Sequence, residues 1–259
     1  MAWKTLRKIR NYVSDPAHHR RITIVFWSIL IVPPAILGTL LLLIGFGAFG
    51  KLPTFEELEN PRSNLATEVI SADGKSIGSY FIENRSYVDY GDLSPNLVAA
   101  LVATEDARFY SHSGIDFLGL ARVGFKTVLL GDRTQGGGST ISQQLAKNLY
   151  PRDTTHSSGI AKAGKLVIAK LKEWITAVML EHNYTKEEIM AMYLNTVEYG
   201  SNAFGIKSAS ATFFNKTPDA LTPEEAAMLV GVVNAPSRYS PKRNPERALR
   251  RRNTVLERM

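Results

Sequence analysis

Two glutamates stand where the helical repeat asks for apolar side chains. Over residues 95–112 an apolar stripe of Leu97, Leu101 and Phe109, with Val98 and Val102 beside it, takes in Glu105, four residues from both Leu101 and Phe109. A carboxylate in such a stripe is costly unless it is paired or put to use. Desolvation disfavours the charged form of a carboxylate, the direction that a general base working near neutral pH requires. The plainer reading is a glutamate at a helix end that reaches solvent or pairs with Arg108. A second helix, predicted from about Lys165 to Asn183, repeats the pattern: Leu166, Ala169, Ala177 and Leu180 line one face, and Glu173 falls among them. There the alternative is an ion pair with Lys170 or a surface position. Two acids on separate helices suit sugar chemistry, in which one carboxylate handles a proton and another assists across the reacting centre.

Between the two acids lies Gly136-Gly137-Gly138-Ser139-Thr140-Ile141-Ser142-Gln143-Gln144-Leu145-Ala146-Lys147-Asn148. Glycines followed by hydroxyls at a helix start present backbone N–H groups and a positive dipole end to an anion, and a diphosphate is the anion this pattern suggests. Lys147 and Asn148 extend the polar surface. No lysine directly precedes Ser139-Thr140, so this is not a nucleotide-binding P-loop. An ordinary capped helix after a loop would look similar. His112, before Ser113-Gly114, reads as structural. The five histidines show no metal-ligand spacing, which argues against a zinc site. Trp174 and the pair Phe213-Phe214 read as core.

The elements that must position these residues follow from caps and turns. Asp73-Gly74 between Thr67–Ile70 and Ser76–Phe81 predicts a hairpin, with Tyr87–Tyr90 as a candidate third strand. From Ser94, a cap followed by Pro95, the pattern is helical. Thr185 with Glu188, and Thr222 with Glu225, form capping boxes. The stretch from about 131 to 165 is polar and glycine-rich and reads as a flexible loop.

The first 21 residues hold six basic side chains (Lys4, Arg7, Lys8, Arg10, Arg20, Arg21) against Asp15, so this tail carries +5 of the formal +7. The remainder is nearly balanced, which argues against a nucleic-acid groove and for a membrane surface. Residues 22–50 contain no charge at all and exceed the roughly 20 residues needed to cross a bilayer. Pro33-Pro34 predicts a kink. A cleavable signal peptide is the rival, but its apolar core is usually only about 7–15 residues. The basic flank predicts a cytoplasmic N-terminus and an extracytoplasmic remainder. The absence of cysteine is compatible with that location. The expected organisation is a basic tail (1–21), a signal anchor (22–50), a linker with the small β element (51–92) and a mainly α domain (93–259).

These segments together resemble glycosyltransferase family 51, the peptidoglycan polymerases. Glu105-Asp106, Phe109, His112 and Gly114 are similar to its first motif, and Gly138-Ser139-Thr140-Ile141-Ser142-Gln143-Gln144 with Lys147-Asn148 to its second. Lys170-Leu171-Lys172-Glu173 resembles the third, Lys186–Ile189 with Tyr193-Leu194-Asn195 and Gly200 the fourth, and Glu225–Leu229 through Pro236–Pro241 the last. Ala169 stands where the family usually has arginine; Lys170, Lys172, Arg152 or Lys165 are the available substitutes. The resemblance implies a lysozyme-like helical domain with a smaller lobe at the membrane and a cleft between them. It implies inverting β-1,4 transfer from a growing glycan on a polyprenyl diphosphate to lipid II. Glu105 is then the general base and Glu173 the second catalytic acid. Asp106, Phe109, Ser139, Thr140, Gln143, Gln144, Lys147, Asn148, Lys170 and Asn195 are then substrate-binding, and a Mg²⁺ ion could bridge the diphosphate near Glu173. Partners would be the cytoplasmic membrane of a bacterium and other wall-synthesis proteins. The tail from Asn244 to Leu256 is more similar to bifunctional class A penicillin-binding proteins, so the chain is expected to be an excerpt of a longer protein with a transpeptidase domain. A lytic transglycosylase or muramidase, and a non-enzymatic scaffold, are the competing readings.

Overall fold

A computed structural model describes residues 16–53, 67–73, 76–80, 87–129, 138–150 and 159–259. The chain divides into two compact units, Met1–Leu52 and Pro53–Met259. Most of the predicted basic tail (residues 1–15) lies outside the described residues, as do parts of the predicted linker (54–66, 74–75 and 81–86).

The first unit is the helix α1 (Pro16–Gly45), which continues through Pro33 and Pro34. From His18 to Gly45 its mean hydropathy reaches 2.3, long and apolar enough to cross a membrane. Ile24, Phe26, Ile29 and Leu42 point their side chains outward. The helix stops short of the predicted Gly50 because Gly47 and Gly50 take positive φ (78° and 92°), a conformation that ends helices and that glycine alone adopts freely.

In the second unit β1 (Thr67–Ile70) pairs antiparallel with β2 (Ser76–Tyr80), Thr67 opposite Tyr80. The third strand expected over Tyr87–Tyr90 does not form. Val88 spends its backbone N–H and C=O on the side-chain amide of Asn195, at 3.0 and 2.8 Å, and a 3-10 turn follows at Tyr90–Asp92.

Helix α2 (Pro95–Glu105) begins at Ser94, whose hydroxyl accepts the Asn96 N–H. It ends at Glu105, not near His112 as the repeat predicted. Asp106 leaves the helix with a non-helical backbone, and its carboxylate takes the N–H of Ile141 (3.1 Å) and faces His112 Nε2 (3.0 Å). Phe109 therefore belongs to a separate 3-10 turn, Phe109–Ser111, and not to the stripe of α2.

The chain continues through α3 (Phe117–Leu129), α4 (Ile141–Leu149), α5 (Gly159–Asn183), α6 (Lys186–Thr196), α7 (Ile206–Phe214), α8 (Pro223–Val233) and α9 (Pro245–Leu256). Both predicted capping boxes are formed, Thr185–Glu188 opening α6 and Thr222–Glu225 opening α8. The segment read as a loop from 131 to 165 is helical over Ile141–Leu149 and again from Gly159. Residues 130–137 and 151–158, Arg152 included, lie outside the described residues.

Helix α2 packs on α8 and α8 on α9, while α4 packs on α5 and α6. Leu97, Leu101, Ile141, Leu145, Leu180, Ile189, Tyr193, Leu229 and Val255 fill the space between them, all at 0 % exposure. Each buried aliphatic side chain contributes ~1.5–3 kcal/mol, so this packing holds the helices against one another. Gly114 (φ 91°) lets the chain after the 3-10 turn lie against α5, where a Cβ would come within 2.8 Å of the Ala177 carbonyl oxygen.

Candidate active site

The end of α2, the entry to α4 and the C-terminal part of the chain meet around a pocket of about 490 Å³, lined among others by Glu105, Asp106, Arg108, Ser139, Arg251 and Arg258. Glu105 is the last residue of α2 and only 12 % exposed at its side chain. At a helix C-terminus a carboxylate meets the negative end of the backbone dipole, which is unfavourable by ~0.3–1 kcal/mol. Two donors offset this. Gln144 Nε2 on α4 donates to Oε2 at 3.0 Å, and Arg251 Nη2 on α9 approaches Oε1 at 3.5 Å. The second distance is long for a hydrogen bond and is better regarded as a charge contact. Arg258 Nη1 closes the same corner by donating to the Thr104 carbonyl at 3.0 Å.

Arg108, which the plainer reading of the sequence offered as a partner for Glu105, is engaged elsewhere. It holds Asp116 in a two-point ion pair, Nε at 3.0 Å from Oδ2 and Nη2 on Oδ1. The Arg108 hydrogen bond, opposed by burial and helped by the Gly119 N–H, keeps the Asp116 carboxyl below the ordinary carboxylate range.

Asp106 is buried at 7 % exposure, and its carboxylate sits at the N-terminus of α4, where the dipole favours an anion. It ties α2, His112 and α4 together, which makes it a structural staple at the pocket wall. His112 is structural, as expected. Phe109 is wholly buried, with the ring edge-on to Tyr110 and His112 and Lys186 Nζ 4.4 Å from its centre. It is core and has no surface to offer a substrate.

Thr140 caps α4 by accepting the Gln143 N–H (3.2 Å) and donates its own hydroxyl to the Gly114 carbonyl (2.6 Å). Ser139 and Thr140 line the pocket. Lys170 on α5 reaches back to this corner: its ammonium lies 2.9 Å from Ser139 Oγ, 3.3 Å from Gln143 Oε1 and 3.1 Å from Glu173 Oε2. Gln143 is 1 % exposed, and its Nε2 has no hydrogen-bond partner among the described residues. Glu173 is buried at 5 % exposure and is absent from the pocket wall, to which it is linked through Lys170 and then Ser139.

Glu105, Asp106, Ser139 and Thr140 thus share one pocket, with Gln144 touching Glu105 and Lys170 touching Ser139. Lys147 and Asn148 are exposed on the last turn of α4, away from that wall. Asn195, expected to bind substrate, has both ends of its amide committed to Val88. Arg122, Arg251, Arg258 and Asn234 line the pocket and were not singled out from sequence. The run Arg250-Arg251-Arg252 was visible, but only the α9 packing tells which of the three turns inward.

Behind Gln144 stands Tyr193 of α6, whose hydroxyl donates to Gln144 Oε1 at 3.0 Å. Burial first, and then the Glu105 charge, pushes its ionisation well above that of an ordinary phenol.

Among the described residues no three His, Cys, Asp or Glu side chains gather as metal ligands. Glu173, the acid expected beside Mg²⁺, is already neutralised by Lys170. With Lys170 as its partner, Glu173 is not free to serve as a ligand of a resident cation.

The helical scaffold thus holds the Glu105 carboxylate in a pocket whose wall also carries Arg108, Arg122, Arg251 and Arg258. Residues 73–259 match the family described as transglycosylase, and the chain belongs to it. It is 37% identical over 211 residues to penicillin-binding protein 1A of Neisseria gonorrhoeae, covering 82% of this chain and 25% of that protein. The corresponding protein of Escherichia coli (strain K12) is 36% identical over 209 residues (81% and 23%), and that of Aquifex aeolicus (strain VF5) 38% over 230 (88% and 30%). The chain spans about a quarter of the length of these curated relatives.

Proposed function

We propose that this chain is a peptidoglycan glycosyltransferase that polymerises lipid II, with Glu105 as general base. The observation that carries the reading is the Glu105 carboxylate, mostly buried yet opening on the pocket, oriented by a neutral amide on one oxygen and faced by an arginine on the other. In the reaction the 4-hydroxyl oxygen of the acceptor sugar attacks C1 of the donor, and the C1–O bond to the polyprenyl diphosphate breaks. The hydroxyl proton passes to Glu105, and the bonding pair leaves with the diphosphate. That leaving group departs as an anion and needs positive charge and N–H donors more than it needs an acid. Lys170 beside Ser139, with Arg122 and Arg258 on the wall, would supply them. Lysine at 170 provides the cation that Ala169 lacks. Glu173 is then a positioning residue: it holds the Lys170 ammonium between Ser139 and Gln143.

The apolar helix α1 and the basic residues before it support anchorage in a bacterial cytoplasmic membrane, N-terminus inside and the catalytic unit outside, where lipid-linked substrates reside. Other wall-synthesis proteins would be its neighbours there. Incubating the purified chain with lipid II tests the reading. Growth of glycan strands by the parent, lost in Glu105→Gln with an unchanged melting temperature, is the expected result. Cleavage of finished peptidoglycan without strand growth would replace it with a hydrolytic or lytic activity.

A further inference from the structure

We propose that Tyr193 is a positioning residue for the base: its hydroxyl fixes the side-chain amide of Gln144 with the NH₂ group toward Glu105, and the amide in turn fixes the carboxylate. This rests on Glu105 being the general base of the proposed reaction.

The chain of contacts runs from α6 through α4 to the end of α2. Tyr193 Oη donates to Gln144 Oε1 at 3.0 Å, and Gln144 Nε2 donates to Glu105 Oε2 at 3.0 Å. A glutamine amide has two chemically different ends, and a half-turn about its last bond exchanges them. The ionised carboxylate can only accept, so it requires the NH₂ end. A turned amide would set oxygen against oxygen. Gln144 is half-exposed and could turn toward water, whereas Tyr193 is at 0 % exposure, its ring packed in the core. The phenol is therefore the rigid member. Burial, reinforced by the nearby Glu105 charge, keeps its proton in place, so it remains a donor across the working pH range. With the phenol donating, only the productive face of the amide satisfies both neighbours.

The geometry matters because proton abstraction needs the base within hydrogen-bonding reach of the acceptor hydroxyl, and a displacement of about 1 Å can cost up to roughly a hundredfold in rate. A direct substrate contact by Gln144 would instead be felt in KM. A merely structural hydroxyl on Tyr193 would be felt in melting temperature alone.

Kinetics with lipid II as substrate separate these cases, using Tyr193→Phe, Gln144→Met, the double variant and Glu105→Gln beside the parent. The relay predicts that each single variant lowers kcat roughly tenfold to a hundredfold, with KM within about twofold of the parent. It also predicts that the double variant is no slower than the worse single, because both remove the same interaction. Losses that multiply in the double variant, or a raised KM with kcat unchanged, overturn the proposal. Should Tyr193→Phe fail to fold, Gln144→Met decides alone, since residue 144 is half-exposed and methionine keeps its length; an unchanged kcat there is refutation. Glu105→Gln distinguishes the two levels. If it turns over like the parent, the base assignment itself is lost, whereas a dead Glu105→Gln beside unaffected Tyr193→Phe and Gln144→Met sinks only the relay.

Discussion

Glu105 and Glu173 are the same side chain set among apolar neighbours of two helices, yet the protein treats them differently. Glu105 ends its helix, opens on the pocket, and has a neutral amide as its nearest donor, with Arg251 at 3.5 Å. Glu173 lies inside its helix, is 5 % exposed, and stands 3.1 Å from the Lys170 ammonium. A carboxylate that must accept a proton is left with a loosely held oxygen near solvent and substrate. One that must hold a cation in place is buried with that cation. On the proposed mechanism, burial alone would have chosen the wrong acid as the base.

Replacing Glu105 by Gln is the severest test of this contrast. It should lower turnover at least about a hundredfold, the range for loss of a general base, with melting temperature unchanged. Glu173→Gln should cost only about tenfold, because Lys170 keeps Ser139 and Gln143 as partners, and part of the loss should appear in KM. Equal losses for the two variants would erase the distinction. Lys170→Met should cost more than Glu173→Gln, because it removes the cation itself, and the double variant little more than Lys170→Met alone, because paired groups do not add. Initial rates with lipid II measure all three.

The smallest expected effect concerns the other acidic wall of the pocket. Asp116 is held below its ordinary value by Arg108, so the ion pair stabilises the fold above the unfolded carboxylate range, near pH 4. That contribution fades as pH falls through the lower folded value. Asp116→Asn should therefore lower the melting temperature at pH 7 and leave a flatter acid limb than the parent. A parallel acid limb would show that the pair contributes nothing measurable.

What could be read in advance was local. The capping boxes at Thr185 and Thr222 and the Ser94-Pro95 start are decided within four residues, and each formed as expected. Glu105 was visible as an acid out of pattern, but its partners lie 39 and 146 residues away, and no periodicity links such positions. Phe109 was misjudged because the repeat ran smoothly past Asp106. The helix stops there because that carboxylate bonds to the entry of α4, a contact across 35 residues. Asn195 carried an equal ambiguity, since a polar amide in a motif serves a ligand or the chain's own backbone equally well. Here it serves Val88. Asn195→Ala should thus destabilise by about 1–3 kcal/mol for the stranded backbone groups while leaving KM for lipid II unchanged.

The bond from the Ile141 amide to Asp106 has a practical corollary. That one proton is shielded only while the last turn of α2 and the first turn of α4 stay docked, so its exchange with deuterated solvent times the opening of the pocket. A slow Ile141 exchange that quickens in Asp106→Asn, while amides in the middle of α6 keep their protection, would mark this junction as a separately breathing part of the domain.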